Sequence, residues 1–272
     1  MKLAVLRGGK SAEREVSLRS GEQVATALSR RGHDVTPVDL DASTWDVLRD
    51  GDFDCVFNAL HGRFGEDGTV QGMLELLGLA YTGSGVLASA LCMDKSRAGK
   101  ILGAIGLHVP EFEELEIKEG VAADVVERVV SRFGLPLVVK PAREGSTIGL
   151  TIAKDADAVA SGLVLAGRYD RRVLVQRFAA GTEITIGVLA TPDLQVLPTL
   201  EIVSENPVYD YDAKYTAGKS HHIIPARIPE AARKAASETA ARAAGVGFDE
   251  LCQRLVDHAV ARHQRHIGPA AV

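Results

Sequence analysis

The sequence predicts a mixed protein, α/β at its start and α+β beyond, and three observations carry that expectation. Strand-like and helix-like runs alternate through roughly the first 90 residues, the pattern of a parallel sheet with helices packed on it. Later strand-like runs at 149–153, 173–178 and 183–189 follow with few helices between them, which suits an antiparallel sheet. The first strand ends in Arg7-Gly8-Gly9, at the carboxyl edge where open sheets bind ligands.

Taken in order, residues 3–6, 35–38 and 55–57 read as strands, and 17–30 and 70–77 as helices. Gly8 and Gly9 permit a tight turn and close backbone approach, although an ordinary strand-to-helix turn has the same composition. Ser11 reads as a helix cap, with Glu13 and Glu15 as the acidic first turn that a helix start favours. Residues 94–105 look helical, with a boundary between units near residue 95. Past Pro110, a strand at 113–117, a helix near 121–133 and a strand at 137–140 open a second unit. From Leu194 a strand-like run leads to Tyr209-Asp-Tyr-Asp-Ala-Lys-Tyr215, and Pro225 precedes alanine-rich helical stretches at 230–244 and 248–263.

Composition narrows the function. With 46% apolar and 25% charged positions, the chain can bury a core. Its 31 basic residues stand against 36 acidic ones without a long basic run, so nucleic acid is not an expected partner. The amino-terminal apolar run is too short for a signal peptide and no stretch approaches a membrane span, so a cytosolic protein is expected. Cys55, Cys92 and Cys252 lack metal-ligand spacing, which fits a reducing compartment.

Two loops could carry chemistry. In Lys140-Pro-Ala-Arg-Glu-Gly-Ser-Thr-Ile-Gly149 a lysine closes one strand and a Gly/Ser hairpin returns to the next. Such a hairpin can fold over a polyphosphate, offering backbone N–H groups and hydroxyls beside the lysine charge; a surface turn with a solvated lysine fits the local sequence equally well. It is not a Walker loop, because no Gly-Lys-Ser/Thr opens a helix there. His61-Gly-Arg-Phe-Gly-Glu-Asp-Gly68 packs three glycines into eight residues between a strand and a helix, so unusual dihedrals are expected, with polar groups facing a cleft. Lys95, in Met93-Asp-Lys95, could reach a phosphate from the junction of the two units or simply be solvated.

Six motifs in order resemble the D-alanine:D-alanine ligases of the ATP-grasp superfamily: the run from Gly8-Gly9 to Leu18, His61 to Gly68, Tyr81-Thr-Gly-Ser-Gly-Val-Leu-Ala-Ser-Ala90, Met93-Asp-Lys95, Val139-Lys-Pro-Ala-Arg-Glu-Gly-Ser146, and Tyr209 to Tyr215. The resemblance implies an ATP-grasp fold: an N-terminal open parallel-sheet domain at 1–95, a central α+β subdomain at 96–180, and a last α+β subdomain at 181–272. It implies ATP-dependent joining of two D-alanines for peptidoglycan precursor synthesis. The other readings are another ATP-grasp carboxylate–amine ligase and a binding protein without catalysis. By resemblance, Lys95 and Lys140 hold ATP phosphates, Gly145 and Ser146 belong to the loop over them, and Gln176, Arg177 and Glu183 bind the rest of the nucleotide. Glu13 takes the ammonium of the first D-alanine, with Tyr215 and Ser146 nearby, Lys214 approaches the transferring phosphate, and His61 lies near substrate carboxylates. The family is commonly dimeric through its first domain.

One segment departs from the resemblance. Family members place a strand with Arg-x-Asp and a strand with Glu-x-Asn before the last helix, supplying the magnesium ligands. In this chain Ala243-Ala244 runs straight into Gly245-Val246-Gly247. The expectation is therefore an internal deletion near 244–245, with Mg2+ implied by the family but no ligands for it in this sequence. Asp249 and Glu250 stand where acids favour a helix start and are not promoted to ligands.

Overall fold

The computed structural model describes residues 1–104, 106–118, 122–191, 193–205 and 218–232, and the single positions 256, 260 and 263. The chain opens with β1 (Lys2–Arg7), α1 (Arg14–Arg30), β2 (Asp34–Asp39), α2 (Thr44–Asp50), β3 (Cys55–Asn58), α3 (Thr69–Leu76), α4 (Val86–Met93) and α5 (Lys95–Ala104). β1 is central and parallel to both neighbours in the order β2-β1-β3, with Leu3 opposite Val35 and Cys55. Burial on both faces explains the near-continuous apolar run of β1. Leu3 and Val5 pack with Val24 and Leu28 of α1 on one face; Ala4 and Leu6 pack with Leu48 and Leu74 on the other. Val256 is fully buried in the first of these clusters, and Val260 packs against it, so the chain returns late to its own beginning.

A four-stranded antiparallel sheet follows, built from β4 (Phe112–Glu116), β5 (Leu137–Pro141), β6 (Thr151–Ala153) and β7 (Arg172–Arg177) in the order β4-β7-β5-β6. It is covered by α6 (Ala123–Phe133) and α7 (Ala156–Gly167), whose Val129 and Leu163 are fully buried against Leu137, Val139, Val173 and Val175. Beyond it, β8 (Ile184–Thr185), β9 (Val188–Thr191), β10 (Asp193–Val196), β11 (Leu200–Ser204) and β12 (Ser220–Ile223) form two small antiparallel sheets, β10-β9 and β12-β11-β8.

Three local expectations are corrected. The single strand expected at 183–189 is two elements in different sheets, β8 paired with β11 and β9 with β10; the interruption comes at Gly187, which gives a strand no side chain to pack. The helix α7 was not anticipated between β6 and β7. Its buried residues Val159, Gly162, Leu163 and Ala166 have helical spacing, but Val164 faces solvent, so polar contrast is weak. Ser11 does not cap α1, which begins at Arg14 with Glu13 in the capping position and no side-chain cap bond. The helices expected at 230–244 and 248–263, with Asp249, Glu250 and the junction at 244–245, lie outside the described residues apart from 230–232 and the three single positions.

Candidate active site

The carboxyl ends of β1 and β3 bring the two glycine-rich loops together. Gly8 N–H donates to Ser17 Oγ (2.9 Å), and Ser17 Oγ donates to the carbonyl of Ala59 (2.7 Å), tying the β1 loop to the β3 loop. Gly9 N–H donates to Asp39 (3.1 Å), which the Arg14 guanidinium holds below the usual carboxylate range. Within the 61–68 loop, Glu66 accepts from Gly62 N–H (2.8 Å) and Asp67 from Phe64 N–H (2.9 Å). These bonds order backbone that is left-handed at Gly62, Phe64 and Gly68.

Glu13 is not a surface acid of a first helical turn. It is 3% exposed, and Ser11 Oγ bridges its N–H (3.2 Å) to the carbonyl of His61 (2.8 Å). Ser146, from the loop after β5, donates its hydroxyl to Glu13 Oε1. The other carboxylate oxygen, Oε2, is buried with no hydrogen-bond partner among the described residues. A Cβ on Gly62 would stand 2.7 Å from it and one on Gly145 would stand 2.8 Å away, so the oxygen occupies a slot that only glycines leave open. Burying a carboxylate oxygen without a donor is costly, and such an atom marks a place for a cationic donor.

His61 lies beside this slot, its Nε2 3.3 Å from Ser20 Oγ and its Nδ1 3.7 Å from Glu66 Oε1. The Glu66 contact, helped by the Glu13 charge, outweighs burial and raises the His61 pKa, favouring an imidazolium.

Two half-buried lysines lie on the other side of the loop. Lys95 opens α5, and its Nζ donates to the carbonyl of Glu144; burial lowers its pKa despite four carboxylates, Glu13 among them. Lys140, near the end of β5, donates to Gln176 Oε1 (2.7 Å), while Gln176 Nε2 reaches the carbonyl of Pro110 (3.4 Å). Lacking a carboxylate partner, Lys140 is pushed down to about 8 by burial and by the neighbouring charge of Lys95. Two ammonium groups near enough for one to lower the pKa of the other suit a polyanion such as a nucleotide polyphosphate.

Glu13, Gly145, Ser146 and His61 are thus gathered on one side, and Lys95, Lys140 and Gln176 on the other. Arg177 turns outward to pair with Glu111 (3.1 Å), and Glu183 is exposed. Lys214 and Tyr215 lie outside the described residues. Sequence reasoning missed the paired glycine slot at Gly62 and Gly145, whose members meet only after the 82 residues between them have folded. It also missed the ion cluster behind Lys95, where Arg172 grips Asp94 and Glu114. Asp94 left a local trace, an aspartate just before a helix, but Arg172 left none, since its partners are 58 and 78 residues away.

A parallel α/β unit set against an antiparallel sheet, with a hairpin loop joining a buried carboxylate to two half-buried lysines, is the arrangement of an ATP-grasp enzyme. The comparisons with known proteins are more specific. The family model described as the D-ala D-ala ligase N-terminus matches residues 2–50 and 48–84, and that described as the D-ala D-ala ligase C-terminus matches residues 101–256. A D-alanine–D-alanine ligase of Desulforudis audaxviator is 48% identical over 243 residues, covering 89% of this chain and 78% of that relative. One from Geobacter sulfurreducens is 48% identical over 247 residues, covering 90% and 76%. The D-alanine–D-alanine ligase of Bacillus anthracis matches with a TM-score of 0.69 at 30% identity, over 94% of this chain and 78% of that one, and its complex with ATP matches with 0.68. The chain belongs to the D-alanine–D-alanine ligase family.

Proposed function

We propose that the chain joins two molecules of D-alanine at the expense of ATP, in the cytoplasm, for peptidoglycan precursor synthesis. The observation that carries this reading is the orphaned Glu13 Oε2 in its glycine slot, one loop away from Lys95 and Lys140. The slot suits the ammonium of the first D-alanine, and His61, whose pKa Glu66 raises toward the charged form, suits a substrate carboxylate. The relatives above, which span most of this chain, carry the same ligase name, and the Bacillus anthracis ligase has been crystallised with ATP.

A carboxylate is a poor electrophile, so the first D-alanine takes the γ-phosphoryl group of ATP onto its carboxylate oxygen and ADP departs. The free amine of the second D-alanine attacks the acyl phosphate carbonyl, inorganic phosphate leaves with the C–O bond electrons, and the amine proton passes to solvent. Lys95 and Lys140 hold the polyphosphate and the resemblance assigns Lys214 to the transferring group, so their contribution is positioning and electrostatic stabilisation. Ser146 closes its loop onto Glu13 and keeps water from the acyl phosphate, and the resemblance assigns Tyr215 to the same substrate. Gln176, Arg177 and Glu183 are assigned to the adenosine end. Mg2+ is expected from the resemblance; among the described residues no group of three or more His, Cys, Asp or Glu side chains could hold a metal ion. Among the described residues no helix is long and apolar enough to cross a membrane. Pairing through the first unit is proposed from the resemblance and is checked by light scattering.

The test is phosphate release from ATP with D-alanine, L-alanine or no amino acid, together with detection of the dipeptide. Release and dipeptide with D-alanine alone support the reading; D-alanine-independent release, or another amino-acid pair preferred, sinks it.

A further inference from the structure

Lys95 sits on α5, outside the antiparallel sheet that carries Lys140, so the two ammonium groups face one polyphosphate only if the start of α5 is fixed to that sheet. Two sets of contacts do this. Through the backbone, Lys95 N–H donates to the carbonyl of Ala142 (3.0 Å), and Ala142 N–H donates to the carbonyl of Arg172 (2.8 Å). Through side chains, the Arg172 fork on β7 meets two carboxylates at once. It gives Asp94 bonds of 2.6 and 3.2 Å, and Glu114 of β4 bonds of 3.0 and 2.5 Å. Asp94 is 6% exposed, and its Oδ1 also accepts from Arg97 N–H (3.1 Å), capping the helix whose first residue is Lys95. Arg172 is held in turn from its own strand, its N–H donating to Asp170 (3.1 Å), which Arg143 grips with two bonds of 2.8 Å. Neither Arg172 nor Asp94 is directed at the slot beside Glu13; both line a polar cavity of about 590 Å3 behind the loop.

We infer that Arg172 and Asp94 are positioning residues for Lys95, locking the start of α5 to β7 so that the Lys95 ammonium faces the nucleotide phosphates. The inference rests on the ligase reading above and deepens it. Guanidinium is suited to the task because its planar fork serves two carboxylates in fixed geometry, which a single ammonium cannot.

The experiment measures dissociation constants of ATP and of adenosine by calorimetry for the wild type, Arg172→Gln, Asp94→Asn, Lys95→Met and the Arg172→Gln/Lys95→Met double variant. Arg172→Gln and Asp94→Asn are each expected to weaken ATP roughly 10-fold while leaving adenosine within about twofold, because only the phosphates meet Lys95. In the Lys95→Met background Arg172→Gln should add almost nothing, the non-additivity expected of residues acting through one group. Arg172→Lys, which keeps the charge but not the fork, should weaken ATP to an intermediate degree. Equal losses for ATP and adenosine, or full losses in both backgrounds, would overturn the inference by making the cluster a general structural support. Should Arg172→Gln fail to fold, the Asp94→Asn comparison decides by the same criteria. A wild type that binds no ATP overturns the ligase reading and the inference with it, whereas wild-type binding with unselective losses overturns only the inference.

Discussion

At the scale of single residues, the site is governed by two groups whose charge is incompletely matched. Glu13 keeps one oxygen bonded to Ser146 and the other without a partner among the described residues. Glu13→Gln retains an acceptor for the Ser146 hydroxyl but removes the charge, so it should weaken D-alanine binding roughly 10- to 100-fold, as loss of a charge-assisted bond of about 1.5–3 kcal/mol implies. Its melting temperature should hold or rise, because an uncompensated buried carboxylate destabilises the free protein. A drop in melting temperature with unaltered D-alanine affinity would make Glu13 structural. Lys140 is the complementary case. With its pKa pushed down to about 8, it is substantially neutral at pH 9, whereas a bound polyphosphate favours its charged form. ATP binding at pH 9 should therefore take up a proton, seen by calorimetry in buffers of different ionisation enthalpy, and affinity should fall by up to ~10-fold per pH unit above that pKa. Lys140→Met should abolish the uptake; uptake that persists would move the effect to another group. The sign for stability is opposite to that for binding. The folded pKa lies below the ordinary 10.5, so the charged form is disfavoured on folding, and stability without ATP rises with pH between the two values.

At the scale of elements, what the sequence made legible was whatever repeats locally. The β1, β2 and β3 runs and the strand pairs of the antiparallel sheet are apolar stretches bounded by turn residues, and each stands within a residue or two of its expected place. The helix α7 was missed because apolar Val164 lies on its outer face, and the 183–189 strand was read through Gly187 as continuous. The loops were found by their glycines, but their function depends on meeting: Glu13 and Ser146 are 133 residues apart, and nothing local to either announces the bond. The loop after β5 also carries a cost that composition did not reveal. Ser146 and Thr147 both adopt positive φ, +45° and +64°, and a β-branched residue there is strained. Thr147 also has an interaction of its own, so Thr147→Gly exchanges relief of strain against the loss of that interaction and the added freedom of a glycine in the unfolded chain. Stability measured by urea unfolding should therefore change by less than about 1 kcal/mol; a larger gain would show that strain dominates, a larger loss that the side chain holds the loop.

At the scale of the whole molecule, the chain must leave the first unit, build the antiparallel sheets and come back, because Val256 is fully buried beside Leu3 and Val5. That return constrains what an interior loss of sequence can do. By the family resemblance, the strands with the magnesium ligands belong just before the returning segment, yet Ala243-Ala244 runs directly into Gly245-Val246-Gly247. Glu13, Lys95, Lys140 and Ser146 all precede that junction and form their contacts without it. Binding and turnover should therefore separate. The 272-residue chain is expected to bind ATP within about tenfold of the Desulforudis audaxviator relative assayed beside it, since both lysines are in place. Its D-alanine-dependent phosphate release should be slower by roughly 100- to 1,000-fold, because bridging cations supply several kcal/mol of stabilisation to the transferring phosphoryl group. Inserting the corresponding segment of that relative between Ala244 and Gly245 should restore much of the rate without tightening ATP. Equal turnover by the two chains would show that this chain neutralises the phosphoryl charge by other groups, whereas loss of ATP binding as well would show that the strands expected at that junction support the nucleotide site itself.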